Sequence, residues 1–107
     1  VTEMSHPGGA EFTALHGDRF ASMASENGAA GIIAPATRPE RIAALRKIIG
    51  NLLILSPGVG AQGGSATAAL RMGADYVIVG RSIYEAADPR RAAQMLDEEI
   101  RAFLDSS

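Results

Sequence analysis

The sequence has 107 residues, of which 47% are hydrophobic and 5% aromatic, and its formal net charge is −2. This length favours about one domain or less, and the balanced charge argues against a nucleic-acid surface. The absence of cysteine from the sequence excludes a disulfide framework, a cysteine zinc site and a cysteine nucleophile. Because neither a membrane-spanning apolar run nor a signal-peptide pattern is found, we expect a cytoplasmic protein that does not bind membranes.

Short β-type runs alternate with helical segments along the chain. The four runs are Val1–Met4, Gly31–Ala34, Leu52–Ser56 and Tyr76–Gly80. The last two are continuous apolar runs, a pattern typical of strands buried on both faces of a parallel sheet.

Each run is followed by a segment with helical signals. We predict helices over about Ala10–Glu26, Arg38–Ile49 and Ala66–Met72, and a last one from Pro89 onward. Thr37 with Glu40 fits a capping box, and Ser65 and Asp88 are candidate N-caps. Gly50 fits the position after the second helix.

Strict alternation of strand and helix predicts an α/β fold with a parallel sheet and right-handed crossovers. Four strands form either a small open sheet or half of an eight-stranded barrel. A full barrel typically needs about 250 residues, so the chain is long enough for only half of one.

The segment that follows the third run is the strongest candidate for a ligand site. Ligands of parallel α/β proteins bind at the carboxyl ends of the strands, and residues 56–64, SPGVGAQGG, occupy such an end. Their four glycines, Gly58, Gly60, Gly63 and Gly64, allow a ligand to approach the backbone closely. The segment leads into a helix start near Ser65, which favours an anion. The alternative interpretation is a glycine-rich connection without a ligand.

Gly80 and Arg81 end the next run, and the arginine supplies a forked cation suited to phosphate. Phosphate sites in barrels are frequently built from the loops after the last two strands, so we expect the two segments to bind phosphate together. Ser5, His6 and Arg38 also follow runs; each either contacts a ligand or belongs only to a polar turn or helix start.

No catalytic group is evident in the sequence. The only lysine, Lys47, lies within a predicted helix away from the strand ends, and neither HExxH spacing nor a GxSxG elbow occurs. We therefore predict no catalytic residue, no metal site and no cofactor.

Four segments together resemble the orotidine 5′-monophosphate decarboxylase family, in particular its archaeal type. They are residues 3–8 (EMSHPG), 35–41 (PATRPER), 56–64 (SPGVGAQGG) and 79–84 (VGRSIY). The resemblance covers essentially the whole chain. It implies that residues 1–107 form the C-terminal half, units 5–8, of a TIM (β/α)8 barrel.

The resemblance also implies the activity: decarboxylation of orotidine 5′-monophosphate to uridine 5′-monophosphate (UMP) without a cofactor. Ser5 would hydrogen-bond the pyrimidine, Pro57 would line the base pocket and Gln62 would bridge base and phosphate. Gly80 and Arg81 would hold the phosphate, and Arg38 would face the closing loop. The substrate-binding set is then Ser5, Pro57, Gly58, Val59, Gly60, Ala61, Gln62, Gly63, Gly64, Gly80 and Arg81.

The family's catalytic array of aspartates and lysines belongs to the other half of the barrel, so we expect the chain to be inactive alone. Its expected partner is the N-terminal half-barrel or a second copy of itself, in a homo-oligomer. A non-catalytic phosphate- or nucleotide-binding half-barrel is the alternative function. Hexulose-phosphate synthases and ketogulonate-phosphate decarboxylases share the phosphate half, but residues 60–64 (GAQGG) favour the orotidine enzyme.

Overall fold

The computed structural model describes residues 1–2, 16–60 and 63–106. Three parallel strands are present in this part of the chain: β1 (Gly31–Ile33), β2 (Leu53–Ser56) and β3 (Tyr76–Val77). Their order in the sheet is β1-β2-β3, with Ile32 opposite Ile54 and Leu55 opposite Tyr76. The predicted α/β alternation with a parallel sheet is confirmed.

The predicted first strand, Val1–Met4, falls mostly outside the described residues. Its second residue does lie beside β1, since both the N–H and the hydroxyl of Thr2 donate to the Ile33 carbonyl at 3.1 Å. Thr2 is buried and Val1 is exposed, as expected when successive side chains point to opposite faces of a sheet.

Five helices are described. They are α1 (Gly17–Glu26), α2 (Pro39–Ile49), α3 (Ala66–Met72), α4 (Arg81–Tyr84) and α5 (Pro89–Ser106). The predictions for α2, α3 and the start of α5 are confirmed. The part of the predicted first helix before His16 lies outside the described residues, and α4 was not predicted.

Two of the predicted helix caps are confirmed and one is wrong. The Ser65 hydroxyl accepts a hydrogen bond from the Ala68 N–H at 3.2 Å, and the Asp88 carboxylate accepts one from the Arg91 N–H at 3.1 Å. Thr37, by contrast, does not cap α2: Arg38 occupies the N-cap position, and the buried Thr37 hydroxyl has no hydrogen-bond partner in the described structure.

The core lies between one face of the sheet and the helices. Ile32 and Ile54 pack from the sheet against Ile42 and Leu45 of α2 and Ala69 of α3, all of them buried. The i, i+3, i+7 spacing of Ile42, Leu45 and Ile49 on α2 produces this contact.

The other face of the sheet is open, which corrects the prediction that the apolar strands are buried on both sides. Leu53 of β2 is 43% exposed, and Tyr76 and Ile78 are 60% and 45% exposed. The run is apolar because both faces of a barrel strand are covered in a complete barrel. Within the described residues, only the helix-facing side is covered.

Strand β3 is shorter than the predicted run, which extended to Gly80. Its ladder with β2 ends where Ser56 pairs with Val77 and the Ser56 carbonyl accepts from the Ile78 N–H at 2.9 Å. The next residue after β2 that would face β3 is Gly58, but its carbonyl accepts from the Gly64 N–H at 2.9 Å within the glycine-rich segment. Residues 78–80 are therefore released from the sheet and form the approach to α4.

Candidate phosphate-binding site

The glycine-rich segment after β2 is closed by its own backbone hydrogen bonds. The Gly60 N–H donates to the Gly64 carbonyl at 2.9 Å, and the Gly64 N–H donates to the Gly58 carbonyl at 2.9 Å. The Gly63 N–H donates to the Gly60 carbonyl at 2.8 Å. Positive φ angles at Gly58, Gly60 and Gly63, from 79° to 93°, permit this path. Residues 58–60, 63 and 64 are called the glycine loop below.

Close packing also selects glycine at one position of this loop. A Cβ built at Gly64 would lie 2.6 Å from the Gly58 carbonyl oxygen and 2.8 Å from the Ala36 Cβ. Since real Cβ contacts are essentially never this short, any larger residue at position 64 would push the loop away from the end of β1. The glycines noted in the sequence thus shape the loop itself, in addition to leaving room for a ligand.

The loop is also anchored to the sheet below it. The Ala36 N–H donates to the Pro57 carbonyl at 2.8 Å, and the buried Ser56 hydroxyl donates to the Ala34 carbonyl at 2.7 Å. These bonds tie the carboxyl end of β2 to the segment that follows β1. The base of the candidate site is therefore fixed by two adjacent strands.

The second predicted segment turns directly into helix α4. Gly80 is the N-cap residue, and its carbonyl accepts from the Ile83 and Tyr84 N–H groups at 2.9 and 3.1 Å. The Arg81 side chain is exposed and forms no ion pair in residues 16–60 or 63–106. Its guanidinium is free to bind an anion with two parallel hydrogen bonds.

A cavity of about 280 Å³ lies between the glycine loop and α4. It is lined by Pro57, Gly58, Val59, Ile78, Gly80, Arg81 and Tyr84. Five of the predicted substrate-binding residues are therefore brought together in one cavity. The glycine loop forms one wall, and the start of α4 forms the other.

Other predicted residues lie elsewhere. Gly60 and Gly64 line a second cavity, described below, while Gly63 lines neither. Arg38 is the N-cap of α2 and is not among the residues that line the 280 Å³ cavity. Ser5, Ala61 and Gln62 lie outside the described residues, so their predicted roles remain predictions.

Two lining residues were not predicted. Ile78 follows the last paired residue of β3, and alternation along the apolar run could have assigned it to this face. Tyr84 lies one helical turn after Gly80 and could have been found only by recognising α4. A run of four helical residues carries too little periodicity for that recognition.

The described residues contain neither a metal-binding cluster nor a membrane-spanning helix. No group of three or more histidine or acidic side chains there is arranged to hold a metal ion. None of the helices in residues 16–60 and 63–106 is both long and apolar enough to cross a membrane.

Comparison with known proteins identifies the family of the chain. A family model described as "Orotidine 5'-phosphate decarboxylase / HUMPS family" matches residues 1–96. The orotidine 5′-phosphate decarboxylase of Methanosarcina barkeri is 61% identical over 103 residues, which are 95% of this chain and 47% of that protein. The chain thus spans about half the length of the curated relatives it matches.

Solved structures of the same enzyme family also match this chain over about half of their own length. The crystal structure of orotidine 5′-phosphate decarboxylase from Pyrococcus horikoshii has 52% sequence identity and a TM-score of 0.83, and the match covers 94% of this chain and 49% of that one. The enzyme from Methanocaldococcus jannaschii, complexed with the inhibitor BMP, also has a TM-score of 0.83, with 41% identity over 91% of this chain and 46% of that one. The fold is therefore half of a TIM barrel, and the chain belongs to the orotidine 5′-phosphate decarboxylase / HUMPS family.

Proposed function

We propose that residues 1–107 are the C-terminal half-barrel of an orotidine 5′-monophosphate decarboxylase, which converts its substrate to UMP and carbon dioxide. The observation that carries this proposal is the cavity in which Arg81 and Gly80 face Pro57, Gly58 and Val59. The residues that line this cavity suit a nucleoside monophosphate, which has a dianionic phosphate at one end and a flat base at the other. The protein is proposed to act in the cytoplasm, where pyrimidine nucleotides are made.

The two walls of the cavity have different proposed roles. Arg81 binds the phosphate through its forked guanidinium, assisted by the N–H groups at the start of α4, which have no acceptor inside the helix. Pro57 and Val59 supply apolar contact to the base. Ser5, Gln62 and Arg38 are assigned to the pyrimidine, the base–phosphate bridge and the closing loop on the basis of the family resemblance alone.

This half of the barrel binds and orients the substrate, and we propose that it performs no bond-breaking step by itself. Replacing the departing carbon dioxide requires a proton donor next to the pyrimidine. The only lysine, Lys47, is exposed on α2, and the family's aspartate and lysine array belongs to the other half. The decarboxylation therefore requires a partner that supplies that array.

The open sheet face supports such a partner. Leu53, Tyr76 and Ile78 present apolar side chains on the face opposite the helices, and an apolar patch of this kind is unfavourable in water. β3 also leaves a free edge for another strand. We propose that the N-terminal half-barrel covers this surface, and that a second copy of the chain occupies it when that half is absent.

Activity is the first test. The purified chain is assayed for loss of orotidine 5′-monophosphate absorbance, alone and mixed with the separately produced N-terminal half of the Methanosarcina barkeri relative. We expect no turnover from either half and measurable turnover from the mixture. Robust turnover by this chain alone would contradict the assignment of catalysis to the other half.

The alternative function is a phosphate- or nucleotide-binding module without catalysis, and the same cavity favours it. Titration of the chain with UMP, followed by amide chemical shifts, separates the possibilities. We expect shifts at Gly58, Val59 and Gly80 that disappear in Arg81→Ala and persist in the control Arg90→Ala, which removes an equal charge from exposed α5. Binding without turnover in the mixture supports the module, and absence of binding in both the chain and the mixture contradicts both functions.

A further inference from the structure

We propose that Ser82 is a positioning residue that fixes the glycine loop against the start of α4. This inference rests on the proposed function, because it assigns Ser82 to the geometry of the phosphate cavity without contact with the ligand. Ser82 follows Arg81 directly, but it is not among the residues that line the 280 Å³ cavity. Its side chain instead contacts the glycine loop.

The first observation is a hydrogen bond between the two walls of the site. The Ser82 hydroxyl donates to the Val59 carbonyl at 3.4 Å, in a partly buried position. Val59 lines the phosphate cavity, and its neighbours Gly58 and Gly60 take part in the backbone bonds that close the loop. A bond at residue 59 therefore acts on the middle of the loop.

The second observation is steric and independent of the hydrogen bond. A Cβ built at Gly60 would lie 2.6 Å from the Ser82 Oγ and 2.7 Å from the Ser82 Cβ. The Ser82 side chain thus occupies the space that a side chain at position 60 would need. Serine at 82 and glycine at 60 form a matched contact, in which a small polar side chain fits against bare backbone.

The third observation is the position of this contact relative to the two cavities. A larger cavity, of about 470 Å³, is lined by Gly60, Gly64, Ser65 and Ser82 together with residues of α5. Val59 lines both cavities, whereas Ser82 lines only the larger one. Ser82 therefore supports the loop from the side opposite the phosphate cavity. It keeps Val59 at a fixed distance from Gly80 and Arg81.

The first test needs no ligand. Hydrogen exchange of the Gly60 and Gly64 amides reports on the loop, because these N–H groups donate to the loop's own carbonyls. We expect exchange about twofold faster in Ser82→Ala, because a hydroxyl–carbonyl distance of 3.4 Å marks a bond weaker than an ordinary one, whose loss would give about fivefold. Ser82→Thr should retain protection, since it keeps the hydroxyl. Ser25→Ala on exposed α1 leaves both amides unchanged, and unchanged exchange in Ser82→Ala would overturn the proposal.

The second test uses the steric match, with a control that the loop itself provides. Gly60 and Gly63 both have positive φ, so alanine is strained at either position, but a Cβ at Gly63 meets no atom within 4 Å. Gly60→Ala should therefore accelerate exchange of the Gly64 amide more than Gly63→Ala does. Adding Ser82→Gly to Gly60→Ala should partly slow the exchange of the Gly64 amide again. Adding it to Gly63→Ala should not slow that exchange. Equal effects of the two alanines, or no correction by Ser82→Gly, would show that the contact does not fix the loop.

The third test separates positioning from general stability. Affinity for UMP and for inorganic phosphate is measured for the chain and its Ser82 variants, alongside the urea midpoint of unfolding. We expect Ser82→Ala to lower the affinity for both ligands about twofold and to lower the midpoint only by the small amount that one long hydrogen bond contributes. Ser82→Thr should restore the affinity. A shifted midpoint with unchanged affinity would identify a merely structural residue. If neither the unaltered chain nor its mixture with the N-terminal half binds UMP or phosphate, the binding part of the proposed function fails, and the exchange tests still decide the role of Ser82.

Discussion

The two ends of the sheet are held together by different means. At the end where the strands begin, one side chain, Arg46 of α2, joins four segments of the chain. At the end where the strands finish, the glycine loop is closed by three backbone hydrogen bonds, and Ser82 adds a single long one. The first end is fixed by a partly buried charge network, and the second by local backbone geometry.

The guanidinium of Arg46 makes several hydrogen bonds at the end of the sheet where the strands begin. Its guanidinium donates to the carbonyls of Gly50, Leu52 and Gly73 at 2.5–3.2 Å and to the Asp75 carboxylate at 2.6 Å. The same carboxylate oxygen accepts from the Ile54 N–H at 2.9 Å. Arg46 thereby links the ends of α2 and α3 to the starts of β2 and β3.

This difference separates stability from function within one small chain. Barrel proteins place their ligand sites at the carboxyl ends of the strands and use the opposite end for stability. Local backbone bonds hold the glycine loop in place at one end, while the Arg46 network connects the starts of β2 and β3 at the other. Substitutions at the two ends should therefore change different measurements.

Arg46→Met should have the largest effect on stability. It keeps the aliphatic stem but removes the guanidinium from the carbonyls of Gly50, Leu52 and Gly73 and leaves the Asp75 carboxylate with only the Ile54 N–H among its described partners. We expect this loss to cost about 3 kcal/mol of unfolding free energy. Urea denaturation measures this value. Lys47→Met, at the next and exposed position of the same helix, is the control and should change little. A loss below about 1 kcal/mol for Arg46→Met would show that the network is not the main restraint at this end.

Gly31→Ala tests the same end through packing. Gly31 pairs with Leu53 at the start of the sheet, and a Cβ there would overlap the Leu53 carbonyl and lie 2.8 Å from the Leu53 Cβ. The strands would have to separate, at a cost of about 2 kcal/mol. Gly28→Ala is the control variant. Gly28 has a positive φ, but a Cβ added there would meet no atom within 4 Å, so alanine would bring backbone strain without a clash. Thermal unfolding of both variants should show the larger loss at Gly31.

Much of this architecture can be predicted from the sequence, because local signals and packing agree. The apolar spacing of Ile42, Leu45 and Ile49 predicts α2, and the hydroxyl of Ser65 marks the start of α3. The Arg46 network could not be predicted, since its partners are loop carbonyls and the Asp75 carboxylate, which only the folded chain brings around one guanidinium. Any arginine on a helix looks the same in a sequence until the chain is folded.

The residues of the candidate site were likewise predictable only in part. Glycine spacing and Arg81 pointed to the cavity, but Tyr84 and Ser82 depend on a four-residue helix that has no periodicity to detect. At Thr37 the sequence predicts a contact that the structure does not contain. The residue fits a capping box, but its buried hydroxyl makes no capping hydrogen bond. The open face of the sheet, by contrast, follows from the length of the chain, because four strands make only half of a barrel and leave its apolar inner face uncovered.

Ser65→Ala has a smaller expected effect, at the functional end. The Ser65 hydroxyl caps α3 through the Ala68 N–H, and loss of such a cap costs about 1 kcal/mol. Ser65→Asp should keep most of the stability, because a carboxylate accepts the same bond. Chemical denaturation of the two variants checks the cap, and equal losses would show that the hydroxyl contributes through some other contact.

Arg81→Ala should have the smallest effect on stability and the largest on ligand affinity. The Arg81 side chain is exposed and forms no ion pair with the other described residues. We therefore expect a change in unfolding free energy of less than about 0.5 kcal/mol. If Arg81 binds phosphate as a fork, Arg81→Lys should recover only part of the UMP affinity, because an ammonium offers a point charge without paired donors. Full recovery by lysine would show that charge alone suffices. A stability loss as large as that of Arg46→Met would remove the distinction between the two ends of the sheet.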